Sequence, residues 1–220
     1  MTFENCDCME LMARYPDKHF DLAIVDPPYG IGNFSPISGS VGTKCSGNKW
    51  DIKWNNKVPK KKYFKEIIRI SKNRIIWGAN YYNCFENGNG AIIWHKGNIN
   101  PQFSQCEIAS LSFQKKVDYY FQNWQGGGNW HHDNIHPCQK PIALYKWLLT
   151  KYAKPGWLIL DTHVGSASSL IACEDLGFDY VGCELDADYY RAACERIENY
   201  RAQPKLISNA EQFEQNSLDI

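Results

Sequence analysis

Six short apolar runs, each cut off by a polar residue, proline or glycine, set the narrowest limits on what this chain can fold into. They lie at 20–25, 74–78, 91–96, 107–113, 157–161 and 180–184. Their apolar content is nearly continuous, where a half-exposed strand would alternate, so they predict strands buried on both faces, as in a parallel sheet. Helical spacing fills the gaps. Positions 63–72 carry Ile67, Ile68 and Ile70, and 141–153 opens on Pro141 and carries Leu144, Trp147, Leu148 and Tyr152. Proline at a helix start has no amide that needs a partner, which supports a helix there. Helices are also expected over 166–176 and 186–200. Strands alternating with helices predict an α/β fold built on a doubly wound, mostly parallel sheet. With 220 residues the chain is long enough for one domain with its own core.

Two regions break the alternation. Positions 33–56 are rich in Gly, Ser, Lys and Asn, and irregular stretches at 98–105 and 123–134 include Gly126-Gly-Gly128. The expected organisation is a single domain over 1–203 with inserted loops at 33–56 and 98–134, followed by a polar tail at 204–220. Loops of this length in a compact domain are usually functional or disordered. The 24 basic and 24 acidic residues cancel, which argues against a uniformly basic nucleic-acid binder. Their distribution is uneven, with eleven basic against two acidic residues over 44–74 and eleven acidic against four basic from Glu174 onward. Such asymmetry gives the molecule a side that can face a polyanion, and Lys53, Lys57, Lys60, Lys61 and Lys62 are the candidate phosphate contacts.

No apolar stretch approaches the roughly 18 residues of a membrane span, and the start lacks the basic and apolar regions of a secretory signal. The expected location is the cytoplasm. The nine cysteines include no Cys-x-x-Cys pair, so a metal site is not expected and they read as small buried hydrophobes in a reducing compartment.

Three constellations could carry chemistry. Asp26-Pro27-Pro28-Tyr29 directly follows a buried strand, where open α/β sheets bind their ligands. A residue before proline is held extended, and prolines fix φ and remove amide donors. What remains is a carboxylate with rigid carbonyl oxygens, an acceptor-only cradle suited to an amino group, beside the flat face of Tyr29. The second constellation is Asp161-Thr-His-Val-Gly165-Ser166-Ala-Ser followed by Tyr180-Val-Gly-Cys-Glu184, which places Glu184 23 residues after Asp161. An acid about 20 residues past a βαβ turn is where a ribose diol is gripped. Gly165 stands without the G-x-G-x-x-G that a pyrophosphate requires, so an adenosine cofactor lacking a pyrophosphate fits better than a nicotinamide dinucleotide. The third is His136-Pro-Cys-Gln-Lys140-Pro141, just ahead of a helix. Lys140 opposes the helix dipole there, which points to an anionic group nearby.

Together these pieces resemble the DNA amino-methyltransferases, in the order where the catalytic tetrapeptide precedes the cofactor turn. Asp26-Pro-Pro-Tyr29 matches the family's catalytic tetrapeptide, and His136-Pro-Cys-Gln-Lys140-Pro-Ile-Ala-Leu144 its His-Pro-x-x-Lys-Pro-x-x-Leu. Asn5-Cys-Asp7-Cys8 is similar to its Gly-Asp-Cys segment, and Tyr180 to Tyr190 to its ribose segment. At the cofactor turn the family usually reads Asp-Pro-Phe-x-Gly-Ser-Gly-Thr, so Thr162, His163 and Ala167 are departures. The resemblance implies a Rossmann-like S-adenosylmethionine-dependent methyltransferase fold and S-adenosylmethionine as donor. It implies cofactor contacts from Asp7, Cys8, His136, Lys140, Asp161, Gly165, Ser166, Glu184 and Leu185, and double-stranded DNA as the partner. The target it favours is adenine N6, because the cytosine-N4 enzymes more often begin the tetrapeptide with Ser. Cytosine N4, RNA, and a catalytically weak DNA-binding relic of the fold are the alternatives. The resemblance is compatible with a homodimer and with a cognate restriction endonuclease in a restriction-modification pair.

Overall fold

The structure, a computed structural model, describes residues 1–32, 53–82, 88–97, 104–123 and 134–203. One sheet of eight strands organises it, in the order β1 (Thr2–Asn5), β8 (Asp179–Glu184), β7 (Leu158–Asp161), β2 (Phe20–Val25), β3 (Ser71–Trp77), β5 (Cys106–Leu111), β4 (Gly90–His95), β6 (Val117–Phe121). The pairings run parallel from β1 through to β3 and again between β4 and β6. Both partners of β5 are antiparallel to it, so β5 alone is reversed and the other seven strands share one direction. This is the doubly wound, mostly parallel α/β architecture expected from the apolar runs.

Each central strand buries both faces, which is why its apolar content is continuous. Leu22 and Ile24 of β2 point into a core shared with α4 (Ile142–Tyr152), α5 (Ser168–Leu176) and α6 (Ala187–Ala202). Ala23 and Val25 point into a second core on the other face, shared with α1 (Cys8–Ala13) and α2 (Lys61–Ile70). On α2 the residues Tyr63, Ile67 and Ile70 recur at helical spacing and are buried. Burying each is worth about 1.5–3 kcal/mol. The helix expected over 63–72 ends at Ile70, because Ser71 is already extended (φ −116°, ψ 143°) and opens β3. Its hydroxyl donates to the Ile67 carbonyl and closes the helix end. At α6, Asp186 serves as the N-cap and accepts from the amides of Asp188 and Tyr189.

Three expectations are corrected. The segment 98–134 is not loop throughout: besides β5 it contains β6, whose alternating exposure is that of an edge strand too short to declare itself by periodicity. Residues 53–56 of the expected 33–56 loop form a single 3-10 turn. Cys173 and Cys183 are buried, but Cys106 and Cys138 are exposed. The remaining loop positions 33–52, 98–103 and 124–133 and the tail 204–220 lie outside the described residues. No helix among the described residues is long and apolar enough to cross a membrane.

Candidate active site

Because seven strands run one way, β1, β2, β3, β4, β6, β7 and β8 all release the chain at one edge of the sheet. Asp26 leaves β2 there, Asp161 closes the neighbouring β7, and Glu184 closes β8 one strand further. The tetrapeptide and the glycine turn therefore share one face of the molecule.

At the tetrapeptide the Asp26 carboxylate is engaged on both oxygens. Oδ1 accepts from the Tyr29 hydroxyl at 2.6 Å, and Oδ2 accepts from Lys140 Nζ at 2.7 Å. Lys140 also donates to Glu107 Oε2 at 2.8 Å, so one ammonium bridges two carboxylates. Trp77, Trp94 and Tyr29 present their rings to that ammonium at 5.4, 5.9 and 5.6 Å from their centroids. Burial pushes Asp26 above the ordinary carboxylate range, against the pull of Lys140. Burial also acts on Glu107, but the Lys140 and Lys96 ammoniums outweigh it and bring Glu107 down to about 2. For Lys140, burial is outweighed by Asp26 and Glu107, and its value rises. The sequence predicts an anion for Lys140, and the structure supplies two. The Tyr29 ring stacks on Tyr81 with centroids 4.8 Å apart and 17° between planes, and Asn55 Oδ1 accepts from the Tyr29 and Gly30 amides. A pocket lined by Tyr29, Gly78, Tyr81, Glu107 and Ile108 opens beside the cluster.

At the turn after β7, Glu184 Oε2 accepts from the Gly165 amide at 2.9 Å and Oε1 from the Asp186 amide at 3.0 Å. Burial raises the Glu184 carboxyl. Gly165 sits at φ +55°, in the left-handed region where a side chain is strained. The His136 ring lies against it, at ordinary contact distance from where a Cβ would be. Trp54 stacks on His136 at 5.3 Å, and Tyr189 meets it edge-on at 4.5 Å. The Cys138 amide donates to His136 Nδ1, and burial with the nearby Lys140 lowers the ring to about 4. His136 is therefore neutral at pH 7.

The other positions expected at the site fall as follows. Asp161 turns inward: its carboxylate accepts from the His163 amide at 3.0 Å and the Ser169 hydroxyl at 2.5 Å, shaping the turn, and burial raises it to about 7. Asp7 caps α1 by accepting from the Met9 amide, and Cys8 is the first residue of that helix. Ser166 is buried, its carbonyl accepting from Arg196, while Leu185 is exposed beyond β8. Asn5 of β1 donates to the Glu184 and Leu185 carbonyls and fastens the two strand ends together. Pro27 and Pro28 lie between Asp26 and Tyr29 on the loop after β2. Lys53 opens the 3-10 turn, and Lys57, Lys60, Lys61 and Lys62 are exposed just after it. Among the described residues no group of three or more His, Cys, Asp or Glu could hold a metal ion.

Sequence reasoning misses Glu107, Lys96, Trp54 and Asn55. In a fully parallel sheet the first residues of a strand lie at the edge opposite the site, so Glu107 reads as a solvated strand start. Only the reversal of β5 carries it to the carboxyl edge.

Residues 100–195 match the family model described as DNA methylase. The type II methyltransferase M.HinfI of Haemophilus influenzae is 24% identical over 249 residues, covering 91% of this chain and 69% of its own length. Among solved structures, the M1.HpyAVI–SAM complex superposes with a TM-score of 0.57 at 18% identity, covering 89% of this chain and 98% of the other. The PvuII cytosine-N4-specific DNA methyltransferase superposes with 0.59 at 10% identity, covering 97% and 89%. The chain thus shares the α/β fold of these two solved structures. It is similar to proteins described as a DNA methylase and a type II methyltransferase, in line with the resemblance carried by the motifs.

Proposed function

We propose that this protein transfers a methyl group from S-adenosylmethionine to the exocyclic N6 of an adenine extruded from duplex DNA. The observation that carries the reading is the placement of the Asp26 carboxylate and the Gly165–Glu184 turn at the carboxyl ends of neighbouring parallel strands. The donor set at the turn fits such a cofactor. Glu184 keeps lone pairs beyond its two amide bonds for a ribose diol, and the neutral His136 ring against Gly165 offers an apolar wall. When bound, S-adenosylmethionine supplies an electrophilic methyl on a sulfonium.

The chain's own residues supply the rest. A base in a duplex is out of reach, and extruding it costs a few kcal/mol. Stacking on Tyr29 returns about 1–3 kcal/mol. The amino nitrogen is a weak nucleophile because its lone pair is delocalised into the ring. Asp26 and the Pro27 carbonyl, by accepting its two N–H groups, draw the nitrogen toward tetrahedral geometry and free that lone pair. The Asp26 charge then lies beside the positive charge that develops on nitrogen, in a site where burial strengthens the interaction. Holding two reactants in line supplies about 7–11 kcal/mol. As the nitrogen–methyl bond forms, the methyl–sulfur bond would break with its electron pair left on a neutral thioether, and the cationic nitrogen would then give one proton to the Asp26 carboxylate or to water.

A second reading, transfer to cytosine N4, is favoured by the superposition on the PvuII cytosine-N4-specific enzyme. Asp rather than Ser at position 26 favours adenine. Incubating the full chain with DNA and methyl-labelled cofactor, then digesting to nucleosides, tests the proposal. Label in N6-methyladenine is expected. Label in N4-methylcytosine selects the second reading, and DNA without label overturns both.

A further inference from the structure

The Asp26 carboxylate is the end of a row of four charges. Lys96, which follows β4, lies 3.0 Å from Glu107 Oε1, Glu107 Oε2 lies 2.8 Å from Lys140, and Lys140 lies 2.7 Å from Asp26 Oδ2. The four side chains come from four separate segments, alternate in sign, sum to zero, and are between 4% and 20% exposed. In so dry a setting a charge is tolerable only with its neighbours in place, so the row behaves as one unit.

Its order matters for the chemistry proposed above. With Lys96 behind it and no Glu107 between them, the Lys140 ammonium would be part of an excess of positive charge over the carboxylate that must hold an amino group. Glu107 shares that ammonium from the other side. We infer that Glu107 is a positioning residue for amino-methyl transfer: through Lys140 it keeps the Asp26 carboxylate negative toward the target nitrogen, with Lys96 anchoring Glu107. The inference rests on the proposed function. Without the Glu107 charge, Lys140 and Lys96 outnumber Asp26 and the notch turns net positive, where a cation on the base is disfavoured.

The other titratable groups facing Asp26 are the Tyr29 hydroxyl on its own loop, Cys138 ahead of α4, Tyr145 on α4 and Asp161 on β7. Asp161 has its oxygens committed to Ser169 and His163, and the remaining three are neutral at pH 7.

The test compares the full-length wild type with Glu107→Gln, Lys96→Met and the Lys96→Met/Glu107→Gln double variant. Three quantities are read: the Asp26 carboxyl titration by carbon-13 NMR in the free protein, methyl transfer against pH, and cofactor Kd by calorimetry. Removing the Glu107 charge lowers the Asp26 midpoint and moves the acid limb of kcat to lower pH with it. It cuts kcat at least tenfold and leaves the cofactor Kd within twofold. The double variant, neutral once more, recovers at least threefold of the lost kcat. Lys96→Met alone moves the midpoint upward, and this arm stands if Glu107→Gln does not fold. An unmoved midpoint, or a double variant no faster than Glu107→Gln, overturns the inference and points to a merely structural Glu107. No methyl transfer by the wild type overturns the proposed function instead, and the midpoint then judges the hold of Glu107 on Asp26 by itself.

Discussion

Tyr29 has two parts with opposite effects on the site. Its ring offers a stacking face, but its hydroxyl donates to Asp26 Oδ1 at 2.6 Å, the oxygen an incoming amino group needs. A base that enters must share that oxygen with the hydroxyl, which weakens its hold on the carboxylate. Removing the hydroxyl while keeping the ring should therefore help, because a competing hydrogen bond of about 0.5–1.5 kcal/mol disappears. Tyr29→Phe is expected to raise kcat/KM for DNA roughly two- to tenfold in a steady-state labelled-methyl assay. Tyr29→Ala, which also loses the stack, should lower it by about 5- to 150-fold, the equivalent of 1–3 kcal/mol. A Phe variant as slow as the Ala variant would show that the hydroxyl assists the base and does not compete with it.

The strand-turn segments were the most legible part of the sequence, for a physical reason: a run buried on both faces has nowhere to place a polar residue until it leaves the sheet. The 20–25 run matches β2, and Asp26 falls where the chain emerges. The turn after β7 was legible through Gly165 and Glu184, whose bond ties the turn to the next strand end. What sequence could not show was direction. The reversal of β5 depends on pairing with β3 and β4 across long sequence distances, and it decides that Glu107 joins the site. The edge strand β6 was invisible because its exposed positions alternate with half-buried ones over only five residues.

Within the β7 turn, Asp161 has a testable cost. Burial raises its carboxyl to about 7 in the folded chain, above its ordinary value of 3.8. A group raised on folding favours the folded state at low pH, and that stability is lost as pH rises from about 4 through 7. Asp161→Asn removes this dependence. The melting temperature of the variant relative to wild type should rise by about 3 °C or more between pH 5 and pH 8.5. A difference independent of pH would show that Asp161 does not change protonation on folding.

Across the whole molecule, a shared strand direction gathers the notch, the glycine turn and the basic segment at one edge. Asn55 holds the Tyr29 and Gly30 amides and the Lys57–Val58 backbone lies against Gly30, so the segment that leads into the exposed Lys57, Lys60, Lys61 and Lys62 is tied to the notch. These four are the proposed contacts to phosphates flanking an extruded base. Each neutralised phosphate contributes about 0.9 to the slope of log affinity against log salt. Replacing these four lysines with Gln should flatten that slope by about 3 to 4 in a fluorescence-anisotropy titration, and an unchanged slope would make them a solvated surface only. The Asp26 carboxylate is the group on which everything else converges. The most direct measurement is methyl incorporation into DNA by Asp26→Ala beside wild type, with cofactor Kd taken on the same samples. Incorporation is expected to be abolished while Kd stays within twofold; substantial residual turnover by the variant would contradict a central role for the Asp26 carboxylate.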